Sequence, residues 1–92
     1  MANKKTKQSR IERALASLDR ARLTMDALPN ATGKKEAGRC IVAALLACER
    51  ASWELDEAKG SPGLLESVGL KLTQDRDAIQ GALDGLLEEI GG

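Results

Sequence analysis

Histidine, phenylalanine and tyrosine are absent from this chain of 92 residues, and tryptophan occurs once. Without histidine, the chain lacks His-based catalytic triads, His metal ligands and the side chain that most often serves as a general base near neutral pH. A single aromatic ring also excludes a nucleic-acid platform of stacked aromatic side chains. These absences predict a protein that is not an enzyme, has no cofactor or metal site, and acts through its surface.

Cysteine and long apolar runs are also scarce. Cys40 and Cys48 are the only two cysteines, and both fall in one predicted helix. Their separation along the helix axis is about 12 Å, whereas a disulfide requires Cα atoms within about 7 Å. The longest apolar run is the nine residues from Cys40 to Cys48, too short to span a membrane. We therefore expect free thiols, a cytoplasmic location and no membrane as a partner.

Turn signals predict where the first helix begins and ends. Ser9 and Glu12 form a capping-box pattern, in which each side chain binds a free backbone amide of the other residue. Pro29 ends the helix, because the residue before a proline avoids the helical region. The first helix is therefore predicted over 10–28.

Glycine and proline mark the remaining boundaries. The second helix is predicted over 34–59, with Gly60 as a left-handed cap. Ser61 and Pro62 then provide a cap and a first-turn proline for a third helix over 62–90. A break between Gly69 and Thr73 would divide this third segment into two helices.

Apolar residues recur at helical spacing on one face of the first and third segments. The seams comprise Ile11, Leu15, Leu18 and Met25, and then Leu65, Val68, Leu72, Ile79, Leu83, Leu86 and Ile90. The predicted fold is all-α: an elongated three-helix bundle, or four helices if the third segment breaks. We expect one helical domain over 9–92, preceded by a disordered basic tail over 1–8.

The second helix carries apolar or small residues around most of its circumference. Its large apolar residues Ile41 and Leu45 lie on one side, and Val42, Leu46 and Trp53 lie at about 100–140° from Ile41. Two neighbouring helices do not cover such a surface, so we expect a homo-oligomer, with a monomer of splayed helices as the alternative. The predicted oligomer seam is a stripe of small residues: Cys40, Ala44, Ala47, Ala51 and Ala58.

Charge is divided unevenly between the two ends of the chain. Residues 1–39 carry a net charge of +6 and residues 40–92 a net charge of −6, although the whole chain is neutral. The predicted partner-binding cations lie in the basic part: Arg10, Arg13, Arg20, Lys34, Lys35 and Arg39. The first three fall on one ridge of the first helix, opposite its apolar seam, and predict a basic surface that faces solvent. The alternative is that these side chains pair with the acidic half of the protein.

A small helical binding module is the function that these features favour. It would act as an adaptor or stoichiometric inhibitor of a larger protein, as a homo-oligomer. The alternative is an oligomeric binder of an anionic ligand, such as a nucleotide or a nucleic acid, through the basic N-terminal half.

Overall fold

The computed structural model describes residues 9–91, and within them all regular structure is helical, without a strand. It contains three α-helices, α1 (Arg10–Asp26), α2 (Lys34–Asp56) and α3 (Pro62–Gly91), and a short 3₁₀ turn at Leu28–Asn30. The predicted basic tail, 1–8, lies outside the described residues.

The capping box predicted for α1 is confirmed. The backbone amide of Glu12 donates to Ser9 Oγ at 3.1 Å, and the amide of Ser9 donates to Glu12 Oε1 at 2.9 Å. The helix ends two residues earlier than predicted because the chain tightens before Pro29. The amide of Asn30 donates to the carbonyl of Ala27 at 3.0 Å, a 3₁₀ bond that replaces the α-helical pattern.

The end of α2 differs from the prediction in both position and mechanism. The helix stops at Asp56, and the amide of Ala58 donates to the carbonyl of Leu55 at 3.1 Å. Gly60 is not a left-handed cap, since none of the described glycines has a positive φ. A Cβ at Gly60 would instead lie 3.0 Å from Ile11 Cδ1, so the absent side chain allows α1 to approach closely.

The third helix is continuous, so the four-helix alternative is wrong. Gly69 and Thr73 both lie inside α3, where Thr73 Oγ1 donates to the carbonyl of Gly69 at 3.1 Å. The predicted cap at the start of α3 is present, with the amide of Leu64 donating to Ser61 Oγ at 3.3 Å. Thirty residues of unbroken helix extend about 45 Å and give the molecule its long dimension.

Both α1 and α3 run antiparallel to α2. Arg10 at the start of α1 contacts Glu57 just past the end of α2, and Gly38 near the start of α2 approaches Leu86 near the end of α3. The radius of gyration is 15.4 Å and the extents are 54 × 28 × 16 Å, compared with about 12 Å for the radius of gyration of a compact chain of this length. The described protein is therefore elongated.

The core is a single cluster that draws on all three helices. Small side chains of α1 and α2 occupy its centre, which lets these two helices approach closely. The buried members are Ile11, Ala14, Leu18, Ala21, Ile41, Ala44, Cys48, Ala51, Val68, Leu72 and Ile79. Most of the predicted seams are confirmed as buried or half-buried, but Ile90 is exposed.

The residues before α2 are held to its first turn by the carboxylate of Glu36. Gly33 precedes the helix and has no side chain for capping. The amide and hydroxyl of Thr32 instead both donate to Glu36 Oε1. These hydrogen bonds, first that from the hydroxyl and then that from the amide, lower the pKa of Glu36 below its ordinary value.

We expect Thr32→Ala to raise the pKa of Glu36 toward its ordinary value, because one of the two donors is lost. A carboxyl whose pKa is lower in the folded state stabilises the fold above its unfolded pKa, and this stabilisation is lost as the pH falls through the folded pKa. Carboxyl-carbon NMR titration of Glu36 measures the shift, with Thr73→Ala as the control. An unchanged pKa in Thr32→Ala would show that the hydroxyl does not hold this carboxylate.

Candidate interaction surface

Two of the six predicted partner-binding cations are paired with the acidic half of the chain. Arg10 Nη1 lies 3.1 Å from Glu54 Oε1, and Arg13 Nε lies 3.4 Å from the same oxygen. Arg10 Nη2 also lies 3.7 Å from Glu57 Oε1. The geometry agrees with the alternative in which this part of the ridge joins α1 to α2.

Arg20, the third arginine of that ridge, has different surroundings. It lines a groove of about 440 Å³ between α1 and α2, together with Arg50 and Trp53. Among residues 9–91, the ion pairs involve Arg10 and Arg13 but not Arg20. The ridge predicted from the sequence as one basic surface is therefore divided.

The other three predicted cations surround the start of α2. Lys34, Lys35 and Arg39 are exposed, and all three line a groove of about 610 Å³ between the first half of α2 and the end of α3. We call this groove the end groove. Its remaining lining residues are Gly38, Val42, Ala43, Leu46, Leu83, Leu86, Leu87 and Ile90.

Large apolar side chains are unusually exposed in the end groove. Val42 and Leu46 on α2 are 52% and 64% exposed, and Leu87 and Ile90 on α3 are 55% and 59% exposed. A contiguous apolar surface with polar residues at its edge is typical of an interaction site in a small protein. The arrangement therefore provides an apolar floor with cations on one side.

The predicted oligomer seam lies in a different environment. Ala44 and Ala51 are buried within the single chain and belong to the same core cluster as Ala14 and Ala21 of α1. Cys40, Ala47 and Ala58 are half-buried. The stripe of small residues therefore already has a neighbour in its own chain, and the uncovered side of α2 is the one that carries Val42, Leu46 and Trp53.

Helical periodicity located these three apolar residues but did not identify them as an interface. A helical wheel gives the angles between side chains, yet it does not show which sides the neighbouring helices cover. The sequence signal that could have identified this interface is the size of these three side chains, because large apolar side chains contribute more to association than alanines do.

The two thiols differ in burial. Cys40 is half-buried and Cys48 is buried, and both are free. Burial raises the pKa of Cys48, and the negative charge of Asp75 adds to the increase while Arg76 opposes it. The Oδ2 atom of Asp75 is itself buried and lacks a hydrogen-bond partner among the described residues.

Within residues 9–91, no three or more cysteine, aspartate or glutamate side chains lie close enough together to hold a metal ion. Within the same range, no helix has the length and apolarity needed to cross a membrane.

Comparison with models of protein families finds no match, and neither curated proteins nor solved structures show a significant similarity.

We expect the double variant Arg10→Glu/Arg13→Glu to destabilise the fold modestly, because it replaces attraction to Glu54 by repulsion. Exposed pairs contribute about 0–1 kcal/mol each, which corresponds to a fall of a few degrees up to about 10 °C in melting temperature. Adding Glu54→Arg should recover part of the loss. Thermal unfolding followed by circular dichroism measures these changes.

Arg20→Glu is the control for this experiment, since Arg20 belongs to the same ridge but has no ion pair within residues 9–91. The fall in melting temperature is divided by the number of reversed charges in each variant. Equal values for Arg20→Glu and for the double variant would contradict a specific role for Glu54.

Proposed function

We propose that the protein is a small, non-enzymatic helical binding module that acts as an adaptor or stoichiometric inhibitor of a larger protein. The observation that carries this proposal is the end groove, where Val42, Leu46, Leu87 and Ile90 are all about half exposed or more. Placing these side chains in water is unfavourable for the isolated chain, and a protein partner would remove the cost.

The magnitudes indicate what kind of contact is needed. Fully burying a large aliphatic side chain contributes about 1.5–3 kcal/mol, so covering the exposed part of these four contributes roughly 3.5–7 kcal/mol. Association costs about 4–15 kcal/mol in lost freedom of motion. Apolar contact alone would therefore give weak binding, and the three cations at the edge of the groove must add polar contacts.

The groove chemistry favours one class of partner. An amphipathic helix places apolar residues at spacings of three and four along one face, which suits an elongated apolar groove between two helices. Acidic side chains beside that face would meet Lys34, Lys35 and Arg39. We infer that the target is a helix with an apolar face and acidic flanks.

The alternative function, binding of an anionic ligand by the basic N-terminal half, has less support. Arg10 and Arg13 already donate to Glu54, so an anion would have to compete with this carboxylate. Salt also separates the two proposals by degree: binding to nucleic-acid phosphates weakens steeply with ionic strength, whereas an interface with an apolar floor and three cations at its edge weakens less.

The test replaces the two exposed α3 residues of the end groove, as Leu87→Gln/Ile90→Gln. Glutamine preserves helix propensity, so the fold should be retained while the apolar floor is lost. The control is Leu23→Gln/Leu70→Gln, because these two side chains are at least as exposed but lie outside the groove.

We expect the groove variant to capture a specific cross-linked partner from native lysate at least about tenfold less efficiently than wild type. Covering the exposed parts of Leu87 and Ile90 contributes roughly 2–3 kcal/mol, and about 1.4 kcal/mol corresponds to a factor of ten. Quantitative mass spectrometry measures capture, and circular dichroism verifies the fold. Equal capture by the groove variant and by its control would contradict the end groove as the binding surface.

A further inference from the structure

The uncovered side of α2 carries a regular row of six residues, Lys35, Arg39, Val42, Leu46, Glu49 and Trp53, which we call the outer α2 stripe. Successive members are separated by four and three residues in alternation. This spacing is that of the contact positions in a coiled coil, where one helix packs along another. The stripe therefore has the periodicity of a helix–helix interface.

Every residue of the outer α2 stripe is exposed, and Trp53, the sole tryptophan, is 62% exposed. The ion pairs within residues 9–91 do not involve Lys35, Arg39 or Glu49. The stripe thus has apolar residues without cover and charged residues that form no ion pair within the described part of the chain.

The order of side chains along the stripe is complementary to its own reverse. Its first members are cations, its middle members are Val42 and Leu46, and its last members are Glu49 and Trp53. A second copy of the stripe running antiparallel therefore presents an acidic residue and an aromatic ring to the cations. A parallel copy would instead place cations opposite cations.

We propose that the outer α2 stripe binds a second copy of this chain in an antiparallel, two-fold symmetric dimer. The contact positions of a coiled coil alternate between two types, a and d. In an antiparallel pair, each a position faces a d position of the partner helix. With the two-fold axis midway between Val42 and Leu46, Val42 faces the partner's Leu46. Arg39 then faces the partner's Glu49, and Lys35 faces the partner's Trp53.

Each of these three facing pairs forms one layer of the interface. Each layer is chemically favourable and occurs twice, as two-fold symmetry requires. The central layers are apolar, and the next two pair a guanidinium with a carboxylate. The outer layers place an ammonium group near an indole ring, a cation–π arrangement. The charge order along α2 is thus what selects a second copy as the occupant.

This inference goes beyond the proposed function. The outer α2 stripe and the end groove share Lys35, Arg39, Val42 and Leu46, so a second copy and the partner helix compete for this side of α2. The proposed dimer also moves the oligomer contact away from the stripe of small residues predicted from the sequence, since Ala44 and Ala51 are buried against the chain's own core. Leu87 and Ile90 are not members of the outer α2 stripe.

The test is a charge exchange followed by sedimentation equilibrium. Arg39→Glu and Glu49→Arg each turn two attractive contacts per dimer into repulsive ones, so each should raise the dimer dissociation constant by about tenfold or more. The double variant Arg39→Glu/Glu49→Arg restores opposite charges in both contacts and should recover dimerisation. Asp19→Arg, an exposed reversal on α1, is the control and should leave the dimer unchanged.

A wild-type protein that sediments as a single chain at high micromolar concentration would overturn the dimer. A wild-type dimer whose dissociation constant does not change in the single variants, or is not restored in the double variant, would overturn this register. Failure of the dimer is distinguishable from failure of the proposed function, which is measured on other proteins with variants of Leu87 and Ile90.

Discussion

The structure depends on one constraint: α2 has more apolar surface than two neighbouring helices can cover. One side of α2 packs into the core through Ile41 and Ala44, and small side chains allow α1 to lie close to it. The opposite side keeps Val42 and Leu46 in contact with solvent. The end groove and the outer α2 stripe both result from this uncovered side.

The sequence predicted the helices because their signals are local. Ser9 and Glu12 close the start of α1 as expected, since a capping box needs only neighbouring residues. Features that depend on tertiary contact were less predictable. Gly60 is small because Ile11 packs against it, and α3 continues through Gly69 because packing outweighs the weak helix propensity of glycine.

The candidate surface could be predicted only in part, for a related reason. Lys34, Lys35 and Arg39 were identified from charge, and the structure places them together with Leu87 and Ile90 from a distant segment. Nothing in the local pattern indicated that α3 would bring its end to the start of α2. Likewise, the pairing of Arg10 with Glu54 joins residues 44 positions apart.

The accessibility of Trp53 at different protein concentrations tests most directly whether the uncovered side of α2 is an interface. Trp53 is the only aromatic residue, so its fluorescence reports on the outer α2 stripe alone. With acrylamide as the quencher, we expect an accessible indole in protein dilute enough for the dimer to dissociate, and a protected, blue-shifted indole at high micromolar concentration. An indole that stays accessible up to high micromolar concentration would contradict an interface on this side of α2.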